Sequence, residues 1–160
     1  MAFFFAATSE HAVYKVELTA GGTASVGIFS NRNTIDLATG LAVGTALANP
    51  DNVEKGADGT IYVIEDNEPG DIWKVIDANN DGVAEAMGRW ASLSVPGAEP
   101  TGFEQDPNDR NRFIVNVQHP ASGNDAMWEI RLPCPNDRRG KNDHDDHDDD
   151  DNDSGECERD

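Results

Sequence analysis

The strongest constraint in this sequence is a rhythm. Nine apolar runs, at residues 3–7, 12–18, 24–29, 61–64, 71–76, 86–93, 101–105, 112–117 and 126–132, are separated by Gly, Pro, Asn and Asp. Within run 12–18 (AVYKVEL), Val13, Lys15 and Glu17 fall on one face, and Tyr14, Val16 and Leu18 on the other. That period of two belongs to half-buried strands, and no stretch holds the 3.6 period of a helix. The fold expected is therefore all-β, an antiparallel meander. Residues 58–64 (DGTIYVI) and 106–115 (DPNDRNRFIV) are loosely alike, each a turn leading into an apolar strand. Such units recur in successive propeller blades. Nine strands would make a partial β-propeller of two to three blades. Residues 30–48, rich in Thr, Ala and Gly with a turn over 36–40, read as a long irregular connection.

Charge then narrows the function. The 160 residues carry 31 acidic and 12 basic side chains, a net charge of −19. Nucleic-acid binding is not expected, because phosphate contacts need clustered Lys and Arg. Metal cations or an extracellular setting suit the balance better. Twelve of the acids lie beyond Pro133, and residues 142–153 (NDHDDHDDDDND) have nothing apolar to bury. The division expected is a β-domain over 1–132 and a disordered acidic tail over 133–160. His144 and His147 either bind divalent cations loosely or belong to a solvated tail. Cys134 and Cys157 either close an acidic loop by a disulfide or stay unpaired thiols. No membrane span is expected. Residues 1–7 (MAFFFAA) are too short and lack the basic start of a signal peptide. They read as a strand entered midway, as in a chain beginning partway through a longer one.

Several stretches place oxygen donors at strand ends, as hard cations require. In 49–67 (NPDNVEKGADGTIYVIEDN), Asp51 and Asn52 sit in a corner, and the apolar run stops at Glu65 and Asp66. The alternative is an ordinary turn–strand–turn with solvated acids. Residues 77–85 have the spacing D-x-N-x-D-G-x-x-E, with Asp77, Asn79, Asp81 and Glu85 as donors. Position twelve of a full calcium loop falls on Gly88, and no helices flank it, so an EF-hand is not expected. A calcium-stabilised hairpin loop and an unmetallated Asn-Asp-Gly turn both remain. Glu99 stands alone among small residues before a strand, as a ligand or a turn cap. Gln118 and His119 end another strand, as ligand neighbours or simply hydrogen-bonded groups. No nucleophile elbow, phosphate loop or H-E-x-x-H motif occurs, so catalysis here would depend on metal.

Four of these segments, NPDNV, IYVIEDN, GAEPTG and FIVNVQHP, occur in the order and spacing found in the C-terminal part of PhoX-type alkaline phosphatases. The chain resembles that family over residues 3–132. The resemblance implies a six-bladed, periplasmic or secreted propeller that hydrolyses phosphate monoesters with calcium and iron (Fe3+). It implies Glu65 and Glu99 as calcium ligands, Asp51, Asn52 and Asp66 near the cluster, and Gln118 and His119 behind them. The family's iron-binding cysteine and Arg-Pro-Glu segment have no counterpart here. The expectation is a C-terminal fragment lacking N-terminal blades. A non-catalytic, calcium-stabilised extracellular binding module is the alternative.

Overall fold

The computed structural model describes residues 1–133, and over them the chain is all-β. The expectations about tail disorder, the Cys134–Cys157 pairing, and His144 and His147 lie outside the described residues. Eleven strands occur: β1 (Ala2–Ala7), β2 (Ala12–Leu18), β3 (Ala24–Asn31), β4 (Ile35–Asp36), β5 (Pro50–Lys55), β6 (Ile61–Glu65), β7 (Gly70–Ile76), β8 (Ala86–Leu93), β9 (Glu99–Gln105), β10 (Arg112–Gln118) and β11 (Ala126–Arg131). They form three sheets, ordered β1-β2-β3, β4-β8-β7-β6-β5 and β11-β10-β9. Every pairing is antiparallel except the two-residue parallel bridge of β4 on β8.

The nine expected strands are all present, and two more appear. The corner at Asp51 and Asn52 is the start of β5, which pairs with β6 from Pro50↔Glu65 to Lys55↔Ile61. Its residues, PDNVEK, are too polar for a period of two to show. Strand β4 is only two residues long and pairs with a strand far along the chain, which no local pattern encodes. The connection over 30–48 also does core work, because Val43 and Leu47 are buried.

The sheet β5–β8 lies between the other two, and this explains its apolar run. All five residues of β6 are buried. Ile61 and Val63 join Phe4, Val13, Phe29, Trp73 and Val75 in one core cluster. Tyr62 and Ile64 join Ile72, Phe103, Phe113 and Val115 in the other. Alternate side chains of a strand point to opposite faces, so a sheet covered on both sides reads as continuously hydrophobic. Each side chain fully buried in this way contributes about 1.5–3 kcal/mol. In the second cluster the rings of Tyr62, Trp90, Phe103 and Phe113 pack with centroids 4.7 to 5.8 Å apart.

The three sheets share one rim. Strand β1 packs on β5, as β6 packs on β9. The first meander strand of each sheet thus packs on that of the next, β1 on β5 and β5 on β9. At that end Thr8 Oγ1 donates to Pro50 O at 2.9 Å, and Gly97 N to Glu68 Oε2 at 3.0 Å. Gly70 is required there for space, since a Cβ would come 2.2 Å from Pro100 Cδ.

Candidate metal site at the rim

Antiparallel pairing brings the candidates to this rim: Pro50, beside Asp51, faces Glu65, and Glu99 faces Gln118. Their surroundings differ. Glu65 is fully buried. Its Oε1 accepts from Ala48 N at 2.5 Å and Asn49 N at 2.9 Å, and its Oε2 from Trp73 Nε1 at 2.7 Å. Burial pushes its carboxyl above the usual glutamate range, against the pull of the Trp73, Asn49 and Ala48 hydrogen bonds, while the Asp71 charge pushes it further up. Desolvation disfavours the charged form, and donors favour it.

Trp73, Asp71 and Arg89 complete this corner, and sequence reasoning missed all three. Arg89 Nε lies 2.8 Å from Asp71 Oδ2, and its guanidinium sits 5.0 Å over the Trp73 ring. Asp71 is itself buried, and its Oδ1 has no hydrogen-bond partner. The signal that could have found Trp73 is cross-strand parity. Val63 pairs with Trp73, so Glu65, two residues on, shares that face.

Asp51 and Asp66 are exposed. Asp51 accepts from Asn52 Nδ2 at 2.6 Å, and the Asp66 amide donates to Asn49 O at 2.9 Å. Glu99 opens β9 half-buried. Gln118 Nε2 lies 3.4 Å from its Oε2, and His119 Nε2 lies 3.9 Å from the same oxygen. His119 has φ of +56°, a left-handed conformation unusual for a residue with a Cβ. Its amide donates to Asp125 Oδ1 at 3.1 Å, which holds the turn.

The loop over 77–85 joins β7 to β8, far from this group in the β7–β8 ladder. Gly82 N donates to Asp77 Oδ2 at 3.0 Å, Asp81 N to Asn79 Oδ1 at 2.8 Å, and Val83 N to Asp81 Oδ1 at 2.8 Å. Glu85 Oε2 accepts from Ala78 N at 2.8 Å. Asp77 Oδ1 is buried without a partner.

Among the described residues, no three His, Cys, Asp or Glu side chains stand close enough to share a metal ion. Calcium takes 6–8 oxygen ligands, and the Glu99 corner offers a fraction of that shell. Iron of the expected kind finds no cysteine in residues 1–133, so the donors here do not fit it. No described helix is long and apolar enough to cross a membrane. No family model, curated protein or solved structure matches this chain.

Proposed function

We propose that the chain is part of a β-propeller wall of the PhoX-type phosphatase kind, working in the periplasm or outside the cell. Its rim contributes calcium ligands to a site for phosphate monoesters. The observation that carries this reading is the Glu99 corner. A carboxylate opens a strand at the shared rim, has Gln118 and His119 against one oxygen, and keeps its Oε1 free of protein donors among the described residues. The stack of meanders, with β1 on β5 and β6 on β9, supports the propeller. Glu99 and Asp51 are the ligands assigned, whereas Glu65 holds the 48–49 backbone in place. The test is calcium titration by calorimetry, together with hydrolysis of p-nitrophenyl phosphate in calcium and iron. Calcium heat lost in Glu99→Gln supports the assignment. The same heat in variant and parent removes it; hydrolysis that Glu99→Gln abolishes would support the phosphatase part, and hydrolysis that Glu99→Gln leaves unchanged would exclude Glu99 from it.

A second reading, a calcium-stabilised binding module without chemistry, is favoured by one observation. In the 77–85 loop one oxygen of Asp77 is held by Gly82, while the other is buried and unsatisfied. A buried acceptor without a donor costs about 1–3 kcal/mol. A bound cation would satisfy it. This reading expects calcium to raise the melting temperature and Asp77→Asn to abolish the rise. A melting temperature indifferent to calcium leaves a plain turn.

A further inference from the structure

At the end of the molecule away from the rim, the β1–β3 and β5–β8 sheets part around a cleft of about 510 Å³. Register places it. Lys55, Ile61 and Val75 share one row across β5, β6 and β7, at the opposite end of those strands from Pro50 and Glu65. Phe4 and Lys15 pair on the facing sheet. Both walls belong to described sheets, so the cleft is bounded whatever covers the two ends of the stack.

Its floor is apolar. Phe4, Phe29, Ile61 and Val75 line it, and the last three are buried. Two cations stand over this floor, one from each sheet. Lys15 lies on the same face of β2 as Val13, which is fully buried. The Lys15 side chain is 19 % exposed, and its Nζ lies 2.7 Å from Glu17. The ammonium also rests on the 77–85 loop, where a Cβ on Gly82 would come 2.5 Å from it. Lys55 is exposed and has no ion-pair partner among the described residues. The neighbouring acids are already engaged. Asp58 accepts from Thr60 N at 2.9 Å, and Asp77 from Gly82 N at 3.0 Å.

An apolar cleft of this size with a few placed polar groups is the usual form of a small-molecule site. We propose that the cleft binds an organic carboxylate carried on an aromatic or branched apolar body. The body lies on Phe4, Phe29, Ile61 and Val75, and the carboxylate meets Lys55 and Lys15. Charge selects the class. A neutral ligand would gain nothing from the lysines, whereas a single carboxylate makes charge-assisted hydrogen bonds to them. A dianion would meet Glu17, Asp58 and Asp77, whose repulsion offsets the two ammoniums. This site goes beyond the rim assignment and stands without it.

The experiment is calorimetric titration of the full chain with 2-naphthoate in buffer containing a calcium chelator, so that the rim takes no part. One site per chain is expected, with a Kd below about 1 mM. The neutral and dianionic forms of the same body, 2-naphthamide and 2-naphthyl phosphate, should bind at least about tenfold more weakly. Lys55→Gln should weaken naphthoate by about tenfold. Ala2→Trp, which fills the cleft from an exposed strand position, should abolish binding. Val26→Ser, on the other face of the β1–β3 sheet, should change nothing. Circular dichroism confirms that each variant folds. No naphthoate binding below about 1 mM, equal binding of the amide or the phosphate, or binding that survives Lys55→Gln or Ala2→Trp would overturn the proposal. Binding lost in Val26→Ser would place the ligand on the other face and equally overturn it.

Discussion

Glu65 and Glu99 look alike in the sequence, and the structure makes them opposites. Each is a carboxylate at a strand end on the same rim. Glu65 is closed over, with three N–H donors on its two oxygens and an indole packed beside it. Glu99 is half-buried, with an amide at 3.4 Å on one oxygen. The difference lies in which face each strand turns inward. Glu65 shares the face of Val63 and Trp73, which the β1–β3 sheet covers. Glu99 shares its register row with Gln118, on the face of β10 opposite Val115 and Val117. A buried, satisfied acid is a structural fastener. A half-exposed acid with spare lone pairs remains available to a ligand.

The largest expected effect breaks the fastener. Glu65→Ala strands the Ala48, Asn49 and Trp73 donors and should cost about 3 kcal/mol or more in urea unfolding. A loss under about 1 kcal/mol would mean that the corner is no tighter than the rest of the rim. Trp73→Phe removes one donor from the same carboxylate and some packed volume, for an expected loss of about 1–2 kcal/mol. A double variant that loses no more than Glu65→Ala alone would show that the two act as one unit.

The pH dependence should follow from the raised Glu65 carboxyl. Its folded pKa lies above its unfolded one, so the folded state binds this proton more tightly. The stabilisation is complete below the ordinary glutamate range and is lost as pH rises through the raised value. Glu65→Gln should remove that slope from a plot of unfolding free energy against pH. A parent slope that survives the substitution would place the titrating group elsewhere. The smallest effect belongs to the other corner. Glu99→Ala should shift stability by no more than about 0.5 kcal/mol, so any loss of calcium binding in it would report on the ligand and not on the fold.

Much of this was legible beforehand, for reasons that are themselves physical. Runs such as AVYKVEL and RFIVNV alternate because one face meets a core, so strands β2 and β10 could be placed from their own residues. The turn at Asp58 and Gly59 was equally plain, and Gly59 takes φ of +86° there. Strand β5 was hidden because its six residues are mostly polar and owe their extension to pairing with β6. Strand β4 was hidden because a bridge from Ile35 to Ala86 leaves no local trace.

The candidate acids were likewise legible as residues at strand ends, but not as environments. The chain alone determined the all-β fold, the turns, and the placing of acids at strand ends, because period and turn chemistry are local. Which acid is sealed and which is open was decided by tertiary packing. Trp73 reaches Glu65 across a hairpin, and the 48–49 backbone folds in from the loop before β5. Donors recruited from separate elements carry no signature in the sequence around the carboxylate they satisfy.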